Sequence, residues 1–164
     1  MEQYIIGIDQ STQGTKAVLF DSKGQITARK DASHRQKVNE KGWVEHDPVE
    51  IYQNTMKVVT ELIKEQDVDA TSIKAIGISN QRETVLVWDK ETGEPVYHAI
   101  VWQCARAEEI CKRIEHAGKA QMIREKTGLK LSPYFSAAKA AWIMEHVPGC
   151  EKKASKGKLC IGTI

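Results

Sequence analysis

Two apolar runs near the start of the chain, residues 4–9 (YIIGID) and 15–21 (TKAVLFD), are joined only by the polar link of residues 10–14. A parallel pair needs a crossover of a dozen or more residues, so these two strands must return on each other as an antiparallel hairpin. The cluster Asp21, Ser22, Lys23 and Gly24 supplies the next turn, and residues 25–30 supply a third strand, which makes an N-terminal meander. Everything downstream has to pack on a sheet that begins this way.

A helix follows a polar loop. Asp47 is a cap acceptor, Pro48 suits the first helical position, and Glu50 stands three residues after the cap. Ile51, Tyr52, Met56, Val59, Leu62 and Ile63 recur at helical spacing and predict a face against the sheet, with Lys57, Glu61 and Lys64 in water. Residues 73–79 (IKAIGIS) read as a buried strand, 84–89 (TVLVWD) as another, and 96–102 as strand-like after the turn at 90–93. Helices are then expected over 105–117, 119–127 with Gly128 as the stop, and 136–146 before Pro148 and Gly149. Strands alternating with helices define an α/β chain, and its 164 residues suit one domain. Residues 159–164 are apolar, and an apolar run at that place leads us to expect a fragment of a longer protein.

Composition excludes several classes of function. With 24 basic and 22 acidic residues the net charge is +2, which leaves no electrostatic footprint for nucleic acid or an acidic membrane. No apolar stretch approaches the ~20 residues needed to span a bilayer, and no basic segment precedes an apolar one at the N-terminus. Four cysteines without a CxxC pair, and histidines without ligand spacing to them, suit reduced thiols in a cytoplasmic protein rather than a disulfide scaffold or zinc.

Three stretches carry chemistry. Residues 9–16 (DQSTQGTK) form a hydroxyl-rich turn whose amides and hydroxyls could hold phosphate oxygens, with Asp9 placed for a hydrated Mg²⁺ and Lys16 for offsetting charge. On spacing alone the same residues also make an ordinary hairpin turn, and neither GxxxxGK[ST] nor GxGxxG occurs in the chain. Asn80-Gln81-Arg82-Glu83 is a polar block between two apolar runs, where an adjacent guanidinium and carboxylate suit the vicinal hydroxyls of a polyol; a solvated surface turn is the competing explanation. Trp102 and the pair Tyr134-Phe135 could wall such a site or serve as packing. Trp43 and His46 read as structural.

In this order the segments DQSTQGTKAVLFD, GWVEHDP, ISNQRETVLVWDKETG, AIVWQCARAEEIC and TGLKLSPYFSAAKAAWIMEHV resemble the FGGY carbohydrate kinase family, and within it the members that act on glycerol. The resemblance implies the actin-like, ribonuclease-H-like ATPase fold, a mixed sheet with flanking helices. It also implies that residues 1–164 are the N-terminal part of the first of two such domains, with the second domain absent from this chain. ATP and Mg²⁺ are the implied cofactors, and glycerol or a similar small polyol the implied acceptor. The complete protein is expected to be a cytoplasmic homo-oligomer.

By position, Asp9 matches the metal-associated aspartate, and Thr12, Gln13 and Lys16 fall where the family contacts ATP phosphates. Arg82 and Glu83 fall on the polyol hydroxyls, and Trp102 and Tyr134 around its carbon chain. Glycerol-specific members usually read D-Q-G-T-T-S-S-R in the first loop, whereas this chain has Ser11, Gln13, Gly14 and Lys16, a version closer to some sugar kinases. Lys16 keeps the charge of the usual arginine without its bidentate fork. The family's general base has no counterpart here, so no catalytic residue is expected in this chain and the isolated chain should not turn over. Kinases for other polyols or ketoses, and a non-catalytic actin-like nucleotide-binding module, are the alternatives.

Overall fold

A computed structural model describes residues 2–164. The chain carries two separate apolar cores where its length alone suggests one, and it divides into two compact units, 1–36 with 47–81 and 37–46 with 82–164.

The first unit is built on the expected meander. Strands β1 (Tyr4–Gln10), β2 (Gly14–Phe20) and β3 (Ile26–Ser33) pair antiparallel in succession. The crossover helix α1 (Pro48–Glu65) leads to the strand Ile73–Ser79, which lies parallel to β1 and completes the order β3-β2-β1-(Ile73–Ser79). Asp47 caps α1 by accepting from the amides of Val49 and Glu50, as its sequence predicts. Glu50 does not close the reciprocal box; its carboxylate accepts from the Arg35 amide instead.

Two expectations are corrected in this unit. Tyr52 and Met56 of α1 are exposed, and the buried face runs through Ile51, Val58 and Leu62 onto Ile6, Ile8, Ala17 and Leu19. The strand over 73–79 is not buried: Ile76 is 55% and Ile78 67% exposed. The cause is topological, because α1 lies across β2 and β3 and leaves the edge strand beyond β1 uncovered.

The second unit is a five-stranded sheet with helices. In chain order its strands are β4 (Gln36–Val38), β5 (Val44–His46), β7 (Val85–Asp89), β8 (Ala99–Ile100) and β9 (Leu159–Thr163), where β6 is the edge strand Ile73–Ser79 of the first unit. Their order in the sheet is β4-β5-β8-β7-β9. The strand-like stretch 96–102 contributes only β8, and the apolar run 159–164 supplies β9, antiparallel to β7. Helices α2 (Glu108–His116), α3 (Ala120–Thr127), α4 (Ser136–His146) and α5 (Cys150–Ser155) follow. Gly128 ends α3 in the left-handed conformation at φ 73° that the sequence calls for. Val85, Val87, Ile100, Val101, Ile110 and Ile143 form the centre of this core.

Charged side chains also lie deep within it, Arg106 among them. The Arg106 guanidinium is fully buried, paired with Glu45 at 2.6 Å, and flanked by the rings of Trp43 (4.7 Å) and Trp142 (4.8 Å). Trp43 packs on this guanidinium and against the Trp142 ring, and His46 of β5 is fully buried. All four cysteines are free thiols, and among the described residues no helix is long and apolar enough to cross a membrane.

Candidate functional site

In the first unit the turn between β1 and β2 closes through Ser11, whose amide and hydroxyl both donate to the Gly14 carbonyl at 2.9 and 3.0 Å. Gly14 is obligatory: a Cβ there would lie 2.4 Å from the Ala32 carbonyl oxygen of β3. The turn rests on a buried polar network in which the Thr15 hydroxyl donates to Gln10, and Gln10 donates to Thr55 of α1 at 2.9 Å. Beside the turn is a small groove of about 150 Å³ lined by Ser11, Gln13, Gly14, Thr15, Lys16 and residues of β3. Of the expected phosphate contacts, Gln13 and Lys16 line this groove, and Thr12 is half-buried in the turn beside them.

Asp9 and Lys16 face each other in register across β1 and β2 and form an ion pair at 3.0 Å. Lys16 is in turn opposite Asp31 of β3, whose carboxyl the Arg29 guanidinium holds below the usual range, with Lys16 adding to the effect. The pair engages Asp9 Oδ2 and leaves Oδ1 without a hydrogen bond among the described residues. No group of three or more metal-ligating side chains occurs among those residues. A lone open carboxylate does not make a closed cage, but it fits Mg²⁺ that arrives with phosphates and keeps most of its water.

At the same end of the sheet Ser79 pairs with Asp9, so Asn80 and Gln81 leave β6 at the carboxyl end of two parallel strands. Gln81 is buried with both amide atoms unpartnered among the described residues.

The second unit assembles the aromatic and charged candidates. Glu83, just before β7, sits at φ 63°, a left-handed conformation that is unusual for a residue with a side chain. Its Oε2 accepts from the Ser136 amide at 2.8 Å and the Ser136 hydroxyl at 2.5 Å. Phe135, at the cap position of α4, offers no side-chain bond, so Glu83 does the capping from a distant part of the chain. Both bonds fall on one oxygen and leave Oε1 without a hydrogen bond among the described residues. Arg82 is exposed and makes no ion pair among them.

Trp102, 37% exposed, and Tyr134, 44% exposed, meet edge to face at 5.8 Å, and Phe135 stands against Tyr134 at 5.2 Å. The Trp102 amide donates to the Thr84 hydroxyl at 3.2 Å, which ties this ring to the residue after Glu83. Two residues of this cluster were not singled out from the sequence, Ser136 and Lys139. Lys139 is fully buried on α4 and donates to the Tyr134 carbonyl. Burial pushes its ammonium down to about 8, while the Glu83 carboxylate pulls the other way.

The comparisons with known proteins agree with this architecture. The solved glycerol kinase of Plasmodium falciparum, crystallised with ADP, superposes with a TM-score of 0.90 at 38% identity over 99% of this chain and 32% of that one. A gluconate kinase from Lactobacillus acidophilus superposes at 0.79 with 27% identity, over 89% of this chain and 29% of that one. The class is thus a mixed α/β domain of the actin-like ATPase fold. The profile of the FGGY family of carbohydrate kinases, N-terminal domain, matches residues 4–164, and the chain belongs to that family. Glycerol kinase 1 of Thermotoga maritima is 47% identical over 161 residues, which are 98% of this chain and 33% of that protein. The chain spans about a third of the length of these relatives.

Proposed function

We propose that this chain supplies the polyol-holding wall and the first phosphate loop of an ATP-dependent kinase, and that the complete protein converts glycerol to glycerol 3-phosphate. The observation that carries the reading is Glu83, held in a left-handed conformation with one carboxylate oxygen engaged in capping α4 and the other open, next to the charged Arg82. Conformations of this kind cost about 1–3 kcal/mol and persist where the surroundings enforce them, often at functional sites. Similarity to glycerol kinases at 47% and 38% identity supports the choice of acceptor.

In this reading Glu83 Oε1 accepts from one hydroxyl of the polyol and Arg82 donates to a neighbouring one. Trp102 and Tyr134 flank the carbon chain and exclude water from it. The turn over residues 11–13 and Lys16 hold phosphate oxygens of ATP. Asp9 would hold Mg²⁺, which when bound supplies charge neutralisation on the phosphates. Removal of the proton from the attacking hydroxyl is assigned to an aspartate outside these residues. The free thiols support a reducing compartment, the cytoplasm.

Steady-state kinetics of the complete protein with glycerol, longer polyols and ketoses test the reading. Arg82→Ala, and Glu83→Gln, which keeps an acceptor for Ser136, should each remove a charge-assisted bond of roughly 1.5–3 kcal/mol and lower kcat/KM about ten- to a hundredfold. Unchanged kcat/KM for every acceptor would overturn the site. Preference for a ketose would move the substrate within the family, and no transfer to any acceptor would favour a non-catalytic module.

A further inference from the structure

A lysine with none of its side chain exposed is unusual, because a buried ammonium loses its hydration and must be paired or used. Lys139 lies on α4 among the buried Ala138, Trp142 and Ile143, where an apolar residue of similar length would fill the same space. It stands one turn after Ser136, the residue that binds Glu83. Its Nζ donates to the main-chain carbonyl of Tyr134 and lies 5.9 Å from the centre of the Tyr134 ring. The ionisable groups facing it are Glu83 ahead of β7, the thiols of Cys104 after β8 and of Cys111 on α2, and Tyr134 ahead of α4. Glu83 is the carboxylate of that set, and burial pushes the Cys111 thiol up, away from its charged form.

We propose that Lys139 is a positioning residue for the polyol pocket: from beneath, it anchors the main chain that carries the Tyr134 ring and balances the carboxylate of Glu83, so that ring and carboxylate meet the substrate in a fixed relation. The inference rests on the polyol reading above and deepens it. Lys139 touches no substrate; it acts through two residues that do. Its loss should therefore fall on the polyol and spare the nucleotide. The charge contributes only while the amine is protonated, so the advantage is present below a pH of about 8 and fades above it.

The test is steady-state kinetics of the complete protein with Lys139→Met, Lys139→Arg and Arg82→Ala, from about pH 7 to about pH 9.5. Lys139→Met should raise the KM for glycerol about tenfold or more at neutral pH and leave the KM for ATP within about twofold, with Lys139→Arg recovering part of the loss. In the parent the glycerol KM should climb through a pH of about 8, and in Lys139→Met that climb should vanish. An unchanged glycerol KM in Lys139→Met overturns the proposal, as does a climb that survives the substitution. If Lys139→Met does not fold, the parent profile decides, and a flat glycerol KM over this range overturns the proposal. If Arg82→Ala also leaves every acceptor's KM unchanged, the pocket is elsewhere and the Lys139 role falls with it.

Discussion

Replacing Arg106 by methionine should be among the most damaging substitutions in the second unit, although the position touches no proposed ligand. The guanidinium is completely buried, pairs with Glu45 at 2.6 Å, donates to the Cys104 sulfur at 3.1 Å, and is flanked by the rings of Trp43, Trp142 and Tyr97. Breaking a buried pair by removing one partner costs about 3–5 kcal/mol, because the other charge is left behind. Here the Tyr97 hydroxyl still donates to Glu45 at 2.8 Å, which softens that term. The lost ring contacts add about 1–2 kcal/mol, so about 4 kcal/mol is the expected total. Urea unfolding followed by tryptophan fluorescence measures it, since Trp43 and Trp142 are themselves the walls of the box. Adding Glu45→Gln to the variant should restore about 1–2 kcal/mol by removing the stranded carboxylate. Arg106→Lys should not substitute well, because an ammonium keeps the charge without the planar stacking face. A cost below about 1 kcal/mol for Arg106→Met, or no recovery in the double variant, would refute this account of the cluster.

Further outcomes follow from other parts of the structure. Lys139 is an ordinary lysine near 10.5 when unfolded and about 8 when folded, so the unfolded chain binds the extra proton and stability should rise with pH across that window. The penalty at neutral pH is about 3 kcal/mol; Lys139→Met should therefore unfold at higher urea than the parent at pH 7 and lose that advantage near pH 10, and a parallel response at both pH values would contradict it. Asp9→Asn breaks an exposed ion pair and should change stability by less than about 1 kcal/mol, yet abolish most turnover of the complete protein; near-normal kcat at saturating Mg²⁺ would disprove a metal role. The 164-residue chain alone should show no glycerol-dependent ADP release and should self-associate through the bare edge of β6 with its exposed Ile76 and Ile78; a monodisperse, active monomer by light scattering and coupled assay would contradict both.

Local chemistry made much of the fold legible. The short link at 10–14 dictated the β1–β2 hairpin, Asp47 and Pro48 marked the start of α1, and Gly128 its counterpart at the end of α3. What escaped was set by partners far away in sequence. The short strands β4 and β5 are defined by pairing rather than composition, and the openness of β6 depends on which strands α1 happens to cross. The site divides the same way. Arg82, Glu83, Trp102 and Tyr134 stand out as residue types in unusual places, and the second unit does bring Trp102 to Tyr134 and Glu83 to the helix that follows Tyr134. The left-handed backbone of Glu83, its capping of α4 and the burial of Lys139 could not be read, because a lysine in SAAKAAW looks like a solvated helix position until the opposing elements are in place.

The close approach of β3 to Gly14 bears on how this loop can diversify. Any side chain at this place would collide with the Ala32 carbonyl, so a substitution of position 14 is not a local edit. The neighbouring strand would have to move outward, and with it the Lys16–Asp31 register that β3 fixes. Position 14 is locked by a backbone eighteen residues further along the chain. A side chain at position 14 thus calls for a strand displacement rather than a point substitution alone, and a variant carrying one would have to accept a less stable sheet.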